Sequence, residues 1–414
     1  MGVGIALGAV LAAPRAAAGS LVILAAVFGL PLLAERWRDR LWPLPAVMLA
    51  LAAFGGYIAI NALWSVNRGE AYGKVLFVFV AAALAWLAIA GIAQLARAQL
   101  ERLAKVAMVA IAFGAVYLFI EVFSNQAIKR AVMGLAPFIQ LESTKHVRVV
   151  DGRVAAIGEY VLNRNMAVLV LLLVPVLLLI QSLFSTVGAR VAAAVLLAIT
   201  TMALFKSEHE TSMLALIFAG GTFAGMSLAP TAMRRLVYAG WIIATLLVVP
   251  IAAVSYAAGL HQAQWIPQTG RNRIILWGYT AKEVRAAPIL GTGVASTKEL
   301  DSRAEATAIQ PADHTYPLRT GRHSHNIFMQ TWYELGAVGA FLLLGIGLAA
   351  LSELTRLPRA HEPYALASFV SAVIIGCFSW GMWQTWFIAA YALWAVLLAL
   401  ALALADRRRD AVAI

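Results

Sequence analysis

Residues 168–180 read Val-Leu-Val-Leu-Leu-Leu-Val-Pro-Val-Leu-Leu-Leu-Ile, with no polar side chain. Outward from this stretch, apolar sequence fills a window of about the 20 residues that a bilayer-spanning helix needs. Met48–Ala62 is a second long uncharged run. The whole chain of 414 residues is 62% hydrophobic and 13% charged, with a mean hydropathy of +0.82. A soluble domain is about 45–50% apolar and about 25% charged, and a folded protein must still clothe its surface. These values exclude a soluble enzyme, a disordered chain and a fibre. What remains is an all-α polytopic membrane protein. Strands of alternating polarity are absent from the apolar runs, so the spans are helices and not a barrel.

Hydropathy predicts helices near 16–34, 44–63, 75–96, 103–124, 165–184, 189–205, 212–229, 236–258, 326–353, 364–383 and 385–405. Residues 3–13 are apolar but short. With the break at Pro14 they supply a twelfth, kinked helix, giving about twelve transmembrane helices in a single integral membrane domain over 1–414. A cleaved signal peptide is the rival reading of this segment. It lacks a basic stretch before the apolar run, since Arg15 follows it.

One set of short connections carries Arg36, Arg38, Arg40, Arg97, Arg102, Lys105, Arg190, Arg234, Arg235, Arg356 and Arg359, and the tail adds Arg407, Arg408 and Arg409. The alternate set carries only Arg68, Lys74 and Lys206. The positive-inside rule makes the first set cytoplasmic. Two long loops, 125–164 and 259–325, then face the other side, and both are net positive. Their arginines suit bidentate phosphate recognition; anchoring to lipid headgroups is the alternative. The formal charge of +12 reflects topology and an anionic ligand. Nucleic-acid binding is not expected, because no basic domain holds a duplex.

Cys377 is the only cysteine, so disulfides and thiolate metal sites are excluded. No Walker motif, no GxGxxG after a strand, no His-Glu-x-x-His and no DxD cluster is present. No metal site or cofactor is expected, and the energy for a reaction must come with the substrate. No internal repeat is evident.

The densest polar signal is Thr320–Gly339. His323 and His325 stand where the second long loop enters a helix. Asn326, Gln330 and Glu334 follow at i, i+4 and i+8, on one helix face. Polar groups at membrane depth face a cavity or the bundle interior. His325 is either a general base or an interfacial helix cap bonded to backbone. Upstream, Thr269–Trp277 carries Arg271 and Arg273 at a short helix that Thr269 or Asn272 would cap, which suits an anion or an amphipathic interfacial helix. Pro288-Ile-Leu-Gly-Thr-Gly293 follows as a tight turn.

His325-Asn326, nine residues, Gly336, two residues, Gly339 resembles the H-[NSQ]-x9-G-x-x-G pattern of the O-antigen ligase family. That superfamily also holds O-antigen polymerases and protein O-oligosaccharyltransferases. Gly270-Arg271, Trp277, Pro288 and Gly291-x-Gly293 are similar to that family's loop segment, and Asn163-Arg-Asn165 is compatible with it. Many members carry a Ser-Arg pair at a mid-chain helix end; here Lys206–Ser212 holds no arginine.

The resemblance implies a GT-C-like glycosyltransferase in the bacterial inner membrane, working at its periplasmic face. The donor would be an undecaprenyl diphosphate-linked glycan and the acceptor lipid A-core, with inversion at the anomeric carbon. On this reading 125–164 is the first periplasmic loop and 259–325 the catalytic one. His325, Arg271 and Glu334 form the catalytic set, with His325 the general base. Arg271, with Arg273, Arg319 or Arg322, holds the diphosphate, His323 is a further substrate-binding residue, and Asn326, Gln330 and Glu334 orient histidine and sugar. Lys206, Arg153 or Arg164 replaces the missing arginine. Transfer to another repeat unit, as in a polymerase, or to protein hydroxyls is the alternative within the superfamily, and a transporter or channel the alternative outside it.

Overall fold

The computed structural model describes residues 2–34, 44–135, 146–150 and 153–412. Arg36, Arg38 and Arg40 lie outside the described residues, as do Glu142, Lys145 and Asp151 and the side chains of Arg153 and Arg407–Arg409.

In chain order the helices are α1 Gly2–Ala12, α2 Ala17–Ala34, α3 Ala46–Asn61, α4 Arg68–Ala93, α5 Arg97–Phe123 and α6 Ala127–Leu135. Strands β1 Val147–Val150 and β2 Arg153–Ile157 come next. They are followed by α7 Asn163–Leu183, α8 Thr186–Ser207, α9 Glu210–Leu228, α10 Pro230–Leu246 and α11 Val248–Ala257. The last five are α12 Gln268–Val284, α13 Thr297–Ala304, α14 Ile327–Leu354, α15 Glu362–Phe378 and α16 Thr385–Val412.

Among the described residues nine helices are long and apolar enough to cross a membrane. The pair α10–α11 makes a tenth only as one span bent by 71°. The helices α1 and α15 are shorter apolar elements. The expected twelve are thus, among the described residues, nine long spans, one bent pair and two short helices. Pro250 lies in the first turn of α11, where its missing N–H has no helical partner to lose.

Helix α7, which contains the opening stretch, is the hub. It is apolar all round, so it has no lipid-facing or solvent-facing stripe and is buried. Every residue from Asn165 to Val176 is buried. It packs on α1, α5, α8, α15 and α16. The Asn165 side chain donates to the carbonyls of Leu11 and Ala12 at 2.7 and 3.0 Å, filling acceptors that α1 leaves free at its end.

Two expectations change. The sequence reading named no strand in 125–164, yet β1 and β2 pair antiparallel, with Val147 opposite Ile157 and a bulge after Arg148. Two short β-branched runs around Asp151-Gly152 carry that signal. The helix predicted over 364–383 ends at Phe378. Residues 379–384 form a turn before α16 instead, and this turn faces the site.

Candidate active site

The site is assembled where α14 begins. Asn326 caps it, its Oδ1 accepting from Phe328 N–H at 2.9 Å and Met329 N–H at 3.0 Å. The cap is therefore Asn326, and His325 is left for other work. His325 has φ 53°, a left-handed conformation that costs a non-glycine residue about 1–3 kcal/mol. Its Nδ1 lies 2.6 Å from the Ser379 carbonyl oxygen. A carbonyl only accepts, so Nδ1 carries the proton and Nε2 keeps its lone pair. Burial holds this imidazole below its usual pKa and the charge of Arg273 adds to that, against the Ser379 hydrogen bond. The His323 ring lies 4.1 Å from it, centroid to centroid. Burial, then His325, Arg322 and Arg164, push His323 down to about 3. Both imidazoles are neutral near pH 7.

Two turns below, α14 is broken. Gly336 has φ 63° and ψ −162°. The break frees carbonyls before it and N–H groups after it, and Pro288–Gly293 takes up both. Thr292 N–H and Gly293 N–H donate to the carbonyls of Tyr333 and Glu334 at 3.0 and 2.9 Å. Ala337 and Val338 N–H donate back to Pro288 and Ile289 at 2.9 and 3.2 Å. The splice works only with bare backbone. A Cβ on Gly336 would stand 2.3 Å from the Ile289 oxygen, and one on Gly291 2.3 Å from the Glu334 backbone. From α3, Tyr57 donates to the Leu335 carbonyl at 2.7 Å and Asn61 to that of Leu290 at 2.8 Å.

Glu334 is fully buried. Its carboxylate accepts from Ala295 N–H at 2.8 Å, Thr297 N–H at 3.2 Å and Gln330 Nε2 at 3.0 Å. The Thr297 hydroxyl and the Trp383 indole also donate to it. Two oxygens offer about four acceptor sites, so the group is filled by protein. The sequence reading placed Glu334 in the catalytic set; its geometry is that of a clamp between the 295–297 turn and the 379–384 turn. Gln330 completes it, accepting from Met382 N–H at 3.0 Å.

Two openings approach the histidine pair. One is a cleft of about 280 Å³ lined by Lys74, Lys298, Arg322, His323 and Gln384; its acids are Glu334 and the half-buried Glu70, which lies 3.9 Å from Lys74. The other is an apolar groove of about 460 Å³ between α9 and α12, lined by Met213, Leu214, Ile217, Ile266, Ile274 and Phe378. Arg273 and Glu210 also line the groove. Trp277, on its wall, donates to the Ser324 carbonyl at 2.6 Å. Arg273 is largely buried, which opposes its charge, and Glu210 offsets this. His209, buried beside Arg273, is pushed down to about 4 by burial and then by that arginine. Of the Glu208–Glu210 patch, Glu210 is turned toward the loop, accepting from the Thr269 hydroxyl at 2.8 Å, and α12 begins at Gln268 without either expected side-chain cap.

The remaining basic residues divide. Arg271 is half-buried and donates to Gln268 Oε1 at 2.7 Å, while its Nε is buried and unpartnered. Arg319 is held by Asp301 and by Glu305, the latter at 2.8 Å, so its charge is neutralised within the loop. Arg164 lies 5.6 Å from the Trp386 ring centroid and depresses His323. Lys206 lines a separate cleft with Glu121 and Gln126, and Arg153 stands in β2. Lys206 does not line the cleft or the groove beside the histidines. Sequence reasoning missed Lys74, Lys298 and the Ser379 carbonyl. Lys74 entered it only as a topology charge, and a backbone oxygen has no signature in a sequence.

The profile described as O-Antigen ligase matches residues 192–344, which include α9, α12, the 288–293 turn, His325 and the Gly336 break. Among curated proteins, "Putative polysaccharide ligase RP358" of Rickettsia prowazekii is 29% identical over 233 residues, 56% of each chain. A "Putative polysaccharide ligase" of Rickettsia felis is 27% identical over 247 residues, 59% of each chain. "Putative polysaccharide ligase RT0347" of Rickettsia typhi is 28% identical over 233 residues, again 56% of each. The chain matches somewhat over half the length of these relatives. Through its matched segment, which holds the histidine pair and the spliced helix, this polytopic membrane protein is similar to the O-antigen ligase family.

Proposed function

We propose that the protein is a GT-C-like glycosyltransferase of the bacterial inner membrane. It moves a glycan from undecaprenyl diphosphate to lipid A-core at the periplasmic face. The observation that carries the reading is the His325 tautomer: Nδ1 is committed to the Ser379 carbonyl at 2.6 Å. This leaves Nε2 as a base beside an apolar groove and a basic cleft. A prenyl chain suits the groove, whose residues are aliphatic and aromatic, and Arg273 at that groove meets the diphosphate; Arg271, two residues earlier on α12, starts from the other side of the helix. A phosphorylated acceptor suits the cleft of Lys74, Lys298 and Arg322.

In the proposed step the acceptor hydroxyl oxygen attacks the anomeric carbon and its proton passes to His325 Nε2. The bond from that carbon to the phosphate oxygen breaks, and the diphosphate leaves with the electron pair, its charge met by arginine. Single displacement inverts the anomeric configuration. Glu334, Gln330 and Asn326 act as positioning residues: they hold the turns that set the histidine.

The test is transfer by purified protein from a lipid-diphosphate glycan, without nucleotide and in EDTA. Rough lipopolysaccharide, a lipid-linked repeat unit and a peptide are offered in parallel. Product on lipopolysaccharide alone is expected. Product on the repeat unit identifies a polymerase, product on the peptide a protein O-oligosaccharyltransferase, and a need for nucleotide overturns the scheme.

A further inference from the structure

Apart from the histidine pair, three side chains from two segments converge at the other end of the second loop. His261 follows the bent α10–α11 pair, and Asp313 and His314 come from the segment before the site. Their ligand atoms all lie within 4.8 Å of one another. His314 Nδ1 is 2.9 Å from Asp313 Oδ1, and the two imidazole rings are 4.6 Å apart. His261 is 6% exposed, and its Nδ1 is buried without a hydrogen-bond partner. We propose that His261, Asp313 and His314 bind one zinc-like divalent cation that staples the second loop to the bent span.

Two imidazoles and a carboxylate, with no thiolate, suit zinc and its first-row neighbours; calcium and magnesium prefer all-oxygen sites. Each ligand atom must come to about 2.0–2.2 Å from the ion, so the cluster has to contract by about an ångström. Asp313 is the member free to move, because its side chain is 57% exposed.

The surroundings already supply the outer partners that metal-bound ligands use. Tyr256 Oη lies 2.8 Å from His314 Nε2. A hydroxyl donates or accepts, so it serves His314 with either nitrogen protonated and permits Nδ1 to take the metal. Gln262 donates to Asp313 Oδ2 at 2.8 Å, and the Tyr256 ring stacks on His261 at 4.9 Å. Three protein ligands leave a fourth position for water.

The cation would join the chain after α11 to residues 313–314. The next residue, Thr315, donates to Asn272 Oδ1 at 2.6 Å, on the helix that carries Arg271 and Arg273. Loop rigidity, and not the displacement step, is what the ion supplies. No sequence spacing announces such a site, since its members come from two segments far apart in the chain.

The experiment uses full-length protein in detergent, purified without a polyhistidine tag and stripped with EDTA. Zinc is titrated calorimetrically, and cobalt is added separately to read the visible bands of a tetrahedral ion. Expected are about one zinc per chain, a melting temperature raised by zinc, and cobalt bands that zinc displaces. His261→Ala and His314→Ala should weaken zinc binding at least tenfold. Asp313→Asn, at an exposed position that leaves the packing intact, should weaken it similarly and serves if either histidine variant fails to fold. No zinc uptake by wild type at 100-fold excess overturns the proposal, and so does wild-type affinity in Asp313→Asn together with either folded histidine variant.

Discussion

Segments 125–164 and 259–325 are both long, both net positive and both set between apolar helices, yet they relate to the bundle in different ways. The second is sewn into α14: four backbone hydrogen bonds cross the Gly336 break, and Glu334 takes up the 295–297 turn. Its cations are sorted, Arg319 to Asp301 and Glu305 and Arg273 to a groove beside His325. The described residues of the first segment pair mainly with one another. Gln126 donates to Ile157 and Gly158 carbonyls at 3.1 and 3.2 Å, and Arg130 donates to Ala155 at 3.2 Å. Charge made the two loops look alike; the difference is whether a broken helix offers backbone groups for the loop to complete.

The sharpest test of this contrast is His325→Ala. A general base contributes roughly 10²–10⁴ in rate, so transfer by purified, folded variant should fall at least a hundredfold. His323→Ala should be milder, since that ring lines the cleft without a backbone partner to fix its tautomer. A loss below tenfold for His325→Ala removes it as the base.

Next in size is the splice. Gly336→Ala puts a Cβ 2.3 Å from the Ile289 oxygen at φ 63°, and overpacking with a strained backbone should cost about 2–4 kcal/mol. Thermal unfolding in detergent should show a clear drop. In the first loop Gly134→Ala, where an added Cβ meets nothing within 4 Å, should be neutral or slightly stabilising. Equal effects would mean that the splice is not what distinguishes the loops.

The arginines come third. If Arg273 and Arg271 grip a diphosphate with their planar forks, lysine keeps the charge and loses the geometry. Arg273→Lys and Arg271→Lys should each lower kcat/KM by about tenfold, or about 1.4 kcal/mol. Full recovery by lysine at Arg271 would assign it to anchoring the loop at the headgroups.

These outcomes bear on what a sequence can disclose. The spans, the His325-Asn326 helix entry and the inward polar face were legible, because each depends on residues within a few turns of one another. The splice was not, since it pairs the backbone of two segments more than forty residues apart in the chain. The turn at 379–384 was hidden because Trp380, Met382 and Trp383 read as more helix. Arg319 looked available because its partner Asp301 lies eighteen positions away.

The pH profile gives a smaller effect with a definite sign. His325 must be neutral to accept a proton, and burial and Arg273 hold its pKa below 6.5. Activity is lost as pH falls through that lowered value, so kcat/KM should be flat across pH 6.5 and decline only on the more acid side. An acid limb centred at or above 6.5 would contradict the buried, arginine-flanked imidazole.

The smallest effect is expected in the first loop. Arg148 lies on the edge of a two-stranded hairpin, opposite Ala156, and does not line the cleft or the groove beside the histidines. If its charge only meets headgroups, its contribution is a surface one that salt screens. Arg148→Ala should then change kcat/KM by less than about twofold, about 0.4 kcal/mol, in detergent and in anionic vesicles alike. A tenfold loss in both settings would place this loop over the substrate. The two arginine-rich segments would then act as one site, and the contrast between a sewn loop and a self-contained one would no longer separate function from its absence. A loss confined to vesicles would leave the contrast standing, because it assigns the arginine to the bilayer surface.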